Sequence, residues 1–173
     1  MARPFRSTGS RTALAVIIRP FHPGDEDAVV GVILPIQREE FGVSITAADQ
    51  PDLADIPAWY QTGAGQFWLA ELDGEVVGTV ALKDIGGGAL ALRKMFVKPV
   101  ARGAVGAAQA LLDTALTHAR GRGVEAVWLG TTEAFKAAHR FYEKNGFGLV
   151  EASALPETFP RMAVDTRFYR LAL

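Results

Sequence analysis

The alternation of apolar and polar positions predicts most of the elements of this chain. Apolar residues run together from Ala13 to Arg19, with Val16, Ile17 and Ile18 at the centre, and predict a first strand. Pro20, Pro23 and Gly24 break it. Asp25 is placed to cap a helix whose first turn carries Glu26 and Asp27, where carboxylates meet the positive end of the helix dipole. Ala28, Val32, Ile33 and Ile36 recur at helical intervals, so this helix runs to about Phe41. The segment from Asp49 to Pro57 is acidic and rich in turn formers, with room for a short helix around Leu53. Gln66 to Leu72 and Val76 to Asp84 flank Asp73-Gly74, a strong hairpin signal. Gly86-Gly87-Gly88 makes a tight connection into the next strand, Leu90 to Lys98. Strict alternation along that strand puts Leu92, Lys94, Phe96 and Lys98 on one face and Arg93, Met95 and Val97 on the other.

The second half turns helical. Leu111, Leu112, Ala115, Leu116 and Ala119 form one apolar stripe of a helix from Ala104 to Arg120, ended by Gly121 and Gly123. Val124 to Gly130 predicts a strand, and Glu133 to Lys144 a helix stopped by Asn145-Gly146. Phe147 to Glu151 and Val164 to Leu171 predict two last strands, joined through a loop holding Pro156 and Pro160. This order predicts an α/β (α+β) fold, with one domain over 13–173. Its central sheet is mixed and mostly antiparallel, with helices on both faces and a parallel strand–helix–strand unit from Leu90 to Gly130. Residues 1–12 carry Arg3, Arg6 and Arg11 and no acid, and read as a flexible basic leader.

Composition narrows the chemistry. At 173 residues, 49% apolar and 21% charged, the chain suits one domain with a real core. A formal net charge of −1 gives no electrostatic footprint for nucleic acid. The absence of cysteine removes disulfides, thiolate metal sites and a covalent Cys nucleophile, and fits a cytoplasmic location. No apolar run reaches the roughly 18–20 residues of a membrane span. His22 and His118 stand isolated and no residue cluster has metal-ligand spacing, so no metal is expected.

The densest chemical signal lies between Leu92 and Phe147. A strand leads into Arg102-Gly103-Ala104-Val105-Gly106-Ala107-Ala108 and then directly into a helix. A helix N-terminus offers unpaired N–H groups and a partial positive charge, and tiny side chains let a pyrophosphate approach them. No Lys follows the second glycine, which argues against a nucleoside-triphosphate loop, and G-x-G-x-x-G is absent. Downstream stands Phe141-Tyr142-Glu143-Lys144-Asn145-Gly146-Phe147.

Together these parts resemble the GNAT superfamily of N-acetyltransferases, over roughly Ile18 to the C-terminus. The resemblance implies acetyl-coenzyme A as co-substrate. It places the pyrophosphate on Arg102 and on the amides of Gly103, Ala104, Val105, Gly106, Ala107 and Ala108. The family loop runs Gln or Arg, two residues, Gly, one residue, then Gly or Ala. Here Gly106-x-Ala108 fits its second half, and one extra residue separates Arg102 from Gly106. The pantetheine arm would pair with the backbone of Met95, Phe96 and Val97 as an added strand, with Thr131, Phe135, Ala138 and Tyr142 on its other side. Tyr142 would protonate the departing thiolate. Phe135 stands where the family often has Asn, and Thr131 or Thr132 could replace it. His139, three residues before Tyr142, reads as packing or an adenine contact.

The resemblance further implies direct attack by an amine in a ternary complex. The acceptor would be a small molecule or a peptide, held by Phe41, Asp49, Asp52, Trp59 and Tyr60. Acids in that region favour a cationic amine. The general base stays open among Glu39, Glu40, Asp49, Asp52, Glu71 and Glu133, since Leu90 to Lys98 holds no acid. Glu40 is the nominal choice, because the first-helix end faces the acceptor cleft in the family. A homodimer is expected by resemblance. The rival readings are acyl transfer to a hydroxyl and a non-catalytic module that binds acetyl-coenzyme A as a regulatory ligand.

Overall fold

Residues 15–173 are described by a computed structural model; the basic leader and the first two residues of the predicted opening strand lie outside them. Seven strands of the described residues form one sheet. β1 (Val16–Pro20) pairs antiparallel with β2 (Gln66–Leu72), and β2 with β3 (Glu75–Asp84). Asp73 and Gly74 both take positive φ, at 53° and 78°, the tight mirror-type turn that their sequence announced. β4 (Ala89–Val97) follows antiparallel to β3. The chain then crosses over through α4 (Ala107–Gly121) to β5 (Ala126–Thr131), which runs parallel to β4. After α5 (Lys136–Lys144) come β6 (Gly148–Val150) and β7 (Arg167–Ala172), and β7 inserts between β5 and β6.

Both faces are covered, as the patterning predicted. The stripe Leu111, Leu112, Ala115, Leu116 and Ala119 of α4 buries against Trp68, Val80, Leu82, Leu90 and Leu92, with Tyr142 of α5 joining the same cluster. The opposite face receives Val29 and Ile33 from α1 (Glu26–Pro35), Leu53 from α2 (Pro51–Ala54), and Ile56 and Tyr60 from α3 (Ile56–Tyr60). α3 was not legible beforehand. Pro57 pre-sets its first turn, and Asp55 caps it by accepting from the Ala58 amide at 3.3 Å. α1 ends differently from a plain helix. Pro35 has no N–H to give the preceding turn, and Ile36–Glu40 widen into a π-helical segment closed by Phe41 N–H to Ile36 O at 3.1 Å.

Strict alternation fails on β4. Lys94 and Met95 together oppose Val80, because the register steps from Ala81↔Arg93 to Thr79↔Phe96. Lys94 sits at φ 53°, a left-handed conformation that turns a bulge. The faces therefore swap. Leu92, Met95 and Val97 pack on the α4 side, and Phe96 on the α1 side. Lys94 reaches neither Leu92's cluster nor solvent. Its ammonium lies 3.3 Å from Asp52 and donates to Gln50 Oε1 at 2.7 Å. Tyr60 also donates to Asp52, and Gln50 exchanges amide hydrogen bonds with Gln37 of the π segment. The bulge carbonyl of Lys94 accepts from Thr79 Oγ1 at 2.7 Å.

This network ties the π segment, α2, α3 and β4 together, and its ion pair is buried, with side-chain exposures of 8% and 7%. Removing one member of such a pair leaves the other uncompensated. Lys94→Met is expected to lower stability by about 3 kcal/mol in urea unfolding. An unchanged urea midpoint would mean that the pair does not hold the bulge.

Candidate active site

β4 and β5 stay together over only three residue pairs, ending at Ala91↔Trp128. From Leu92 onward β4 has no strand partner on its β5 side, while β5 continues to Thr131 paired with β7 on its other edge. The opening between them is a cleft of about 1000 Å³. Its floor is the stretch from Leu92 to Val97, one wall is Leu129 to Thr132, and α5 supplies Ala138 and Tyr142.

At one end of the cleft lies the glycine-bearing loop. α4 starts at Ala107, three residues later than predicted, because Gly103–Val105 form a separate 3-10 turn. Gly106 takes φ 76° at the helix N-cap, and no atom lies within 4 Å of where its Cβ would be. The Gly106 amide is bonded to Gly103 O at 3.0 Å. The amides of Gly103, Ala104, Ala107 and Ala108 come before the first backbone hydrogen bonds of their turns, and they suit an anion with several oxygens. Open space above two left-handed glycines and a row of free amides fit a pyrophosphate.

Arg102 turns away from that row. Its Nε donates to Val97 O at 2.8 Å, and its two terminal nitrogens grip Glu40 at 2.6 and 2.8 Å. Both oxygens of Glu40 are thus engaged by a guanidinium, which clips the π segment onto the loop and makes this carboxylate a weaker base than an unpaired one.

Tyr142 has a buried ring, packed on Phe147 at 5.6 Å between centroids. No described residue hydrogen-bonds its hydroxyl, and no buried side-chain polar atom among the described residues lacks a partner, so the hydroxyl opens on the cleft. Burial pushes this phenol well above its usual range, so it stays protonated and able to donate. His139 Nε2 donates to Thr132 O, 2.7 Å away, and the ring stands 6.2 Å from that of Tyr169, a packing role. Phe135 stacks on Phe41 with centroids 4.0 Å apart, bridging the cleft mouth.

The expected acceptor residues divide. Phe41 lines the cleft. Asp49, Asp52, Trp59 and Tyr60 do not, and each has a structural partner. Asp49 accepts from the amide and hydroxyl of Thr46, which hold its carboxyl below the usual range. Asp52 pairs with Lys94 and Tyr60 as above. Trp59 lies under the Lys83 ammonium at 5.1 Å. The acids of this segment are therefore engaged within the fold rather than offered to a cation. Among the other base candidates, Glu71 is paired with Arg19 at 2.7 Å and Glu133 with Arg167 at 3.6 Å.

Four charged residues of the cleft lining had not been singled out: Arg93, Lys94, Lys136 and Asp165. Burial lowers the Lys94 ammonium below its usual range, against the pull of Asp52. Asp165 comes from the loop before β7 and lies over Gly130 of β5. A Cβ on Gly130 would fall 2.7 Å from Asp165 Oδ2, so only glycine lets the carboxyl seat there. Burial raises its pKa, opposed by the Met162 amide and by the charges of Arg93 and Arg161. A glycine at the end of a strand was the only signal for this contact in the sequence, and it reads equally as a strand terminator.

Comparison with known proteins agrees with this geometry. Residues 32–147 match the Acetyltransferase (GNAT) family. An N-acetylaspartate synthetase of Danio rerio is 41% identical over 125 residues, covering 69% of this chain and 44% of that protein. The chain thus spans less than half the length of that relative. The crystal structure of a GNAT-family acetyltransferase from Staphylococcus aureus Mu50 superposes with a TM-score of 0.87 at 34% identity, covering 91% of this chain and 99% of the other. An N-acetylglutamate synthase from Neisseria gonorrhoeae, crystallised with coenzyme A and N-acetyl-glutamate, shares the fold with a TM-score of 0.70 at 22% identity, over 91% of this chain and 35% of that one.

Gly130→Ala tests the seat of Asp165. The added methyl must push the carboxyl and its loop off the cleft wall, at a cost of roughly 1–3 kcal/mol in thermal or urea unfolding. A neutral result would show that the loop does not rest on β5.

Proposed function

This chain belongs to the Acetyltransferase (GNAT) family, and we propose that it transfers the acetyl group of acetyl-coenzyme A to the amine of a small molecule or peptide. The observation that carries the reading is the parted pair β4 and β5. The gap leads from the loop amides around Gly106, along the unpaired edge of Met95, Phe96 and Val97, to the Tyr142 hydroxyl. In that reading the loop amides hold the pyrophosphate, and the exposed edge of β4 pairs with the pantetheine arm as a strand would. Thr131, Phe135 and Ala138 line the opposite side.

The transfer needs an acyl donor set beside an attacking amine, a polarised carbonyl and a proton for the leaving sulfur. The bulge at Lys94 and Met95 supports the second requirement, because it takes two residues out of register with β3 beside the gap. Tyr142 supports the third, as a neutral phenol opening on the cleft. Direct attack in a ternary complex suits a chain without cysteine. The same reading includes a cytoplasmic location and a homodimer, the latter checked by sedimentation.

Calorimetric titration with acetyl-coenzyme A tests the reading. Wild type is expected to bind. Gly106→Glu, which places a carboxylate among the loop amides and forces a side chain into φ 76°, is expected to abolish binding. No binding by the wild type would overturn the proposal. In a thiol-release assay Tyr142→Phe is expected to lower kcat by about 10²- to 10⁴-fold with little change in acetyl-coenzyme A affinity. Binding without turnover of any amine or alcohol would leave only the regulatory-module reading.

A further inference from the structure

Six charged side chains line the cleft: Glu40, Arg93, Lys94, Arg102, Lys136 and Asp165. Glu40 and Arg102 neutralise each other, and Lys94 is neutralised by Asp52. Lys136 is exposed at the start of α5. Arg93 and Asp165 remain. Arg93 is half-buried and takes part in none of the ion pairs among the described residues. Among the described residues the one hydrogen bond its side chain makes goes to the thioether of Met162, at 3.4 Å. A guanidinium carries five donors in a planar fork, and a thioether is a weak acceptor that leaves most of them free. Asp165, also half-buried, accepts from the Met162 amide at 2.9 Å through Oδ2, and no described donor engages Oδ1. Met162 therefore stands between the two. Arg93 and Asp165 are near enough for each charge to act on the other, yet no nitrogen and oxygen of the pair come within 4.0 Å.

Two opposite charges held apart across one cleft match a molecule that carries both signs close together. We propose that the acceptor is a free amino acid, with its carboxylate received by Arg93 and its ammonium by Asp165. This rests on the acetyltransferase reading above and assigns its acceptor subsite. It differs from the cationic acceptor that the acidic segment Asp49 to Asp55 suggested, because those acids are engaged inside the fold. A planar fork suits the carboxylate, which it binds through two parallel hydrogen bonds.

Asp165 also supplies the base that β4 lacks. The acceptor's ammonium passes one proton to Asp165, and the freed lone pair forms the C–N bond to the acetyl carbonyl carbon. The C–S bond breaks with its electron pair on sulfur, which takes the Tyr142 proton. The second proton lost from nitrogen goes to solvent, from which Tyr142 is recharged and to which Asp165 returns its own. One amino acid and one acetyl thioester become one N-acetyl amino acid, one thiol and one released proton. A raised carboxyl is a better proton acceptor than a surface acid. The charged groups acting on it are Arg93 from β4 and Arg161 from its own loop, while β5 contributes only the uncharged Gly130.

The test uses the whole chain with coenzyme A bound, and titrates L-aspartate, L-glutamate and L-alanine beside their α-carboxamides. Amino acids are expected to bind at least about tenfold more tightly than the carboxamides, and Arg93→Ala to erase that difference while Arg93→Lys keeps part of it. In thiol release, Asp165→Asn is expected to lower kcat by about 100-fold near pH 7, with most of the loss recovered near pH 9.5 as the amine loses its own proton. A pH-independent loss would overturn the base assignment. Equal binding of amino acids and carboxamides by the wild type would overturn the carboxylate site, whatever the variants do. Acetylation confined to amines without a carboxylate would overturn the inference and leave the acetyltransferase reading standing. Failure to bind acetyl-coenzyme A would remove that reading, and this inference with it.

Discussion

β4 and β5 part after three residue pairs, and every feature of the cleft depends on where they part. Two strands of a parallel pair do not separate without a cause, since each unpaired backbone group must find water or another partner. Here β7 satisfies β5 along its far edge, and the bulge at Lys94 bends β4 away. What remains is one strand edge with unengaged donors and acceptors, open to a guest that can pair like a strand. The loop that follows β4 and the helix that follows it then place free amides at the end of the same groove.

The bulge is held by electrostatics as much as by packing. A left-handed lysine costs about 1–2 kcal/mol of backbone strain. Its buried ion pair with Asp52 and the Thr79 hydrogen bond to its carbonyl offset that cost. The arrangement divides the charges of the cleft region into two groups. Lys94 with Asp52, and Arg102 with Glu40, fasten elements to one another. Arg93 and Asp165 touch Met162 and Gly130 but take part in no ion pair among the described residues, and charges not neutralised within the fold are the ones free to meet a ligand. The acidic segment after the first helix looked like a substrate surface because acids on a loop usually face water. In three dimensions Asp52 points inward to a lysine from a strand 42 residues away in number, and Asp55 caps a short helix.

Much of the fold could be read from periodicity and turn chemistry alone. The hairpin at Asp73-Gly74, the apolar stripe of α4 and the stop at Asn145-Gly146 are local signals, each decided by the preferences of neighbouring residues. The glycine loop and Tyr142 were legible for the same reason: a run of small residues before a helix has few local uses, and the Phe141 to Phe147 segment carries a resemblance in consecutive positions. Element edges were less legible. Gly103–Val105 satisfy helix-like patterning yet form a separate turn, because a left-handed Gly106 resets the backbone before α4 begins.

The sequence by itself determined the order of elements, the two covered faces, the place of the glycine-bearing loop and the phenol that opens on the same cleft. All of these follow from interactions between residues close in the chain. Only the tertiary structure decided which face Lys94 takes, which acids are neutralised, that Glu40 is gripped by Arg102, and that Asp165 rests on Gly130. Those outcomes depend on pairs far apart in number, brought together by sheet register and a bulge. The charge of a residue is written in its letter, but whether that charge is engaged or free is settled by what the fold sets opposite it.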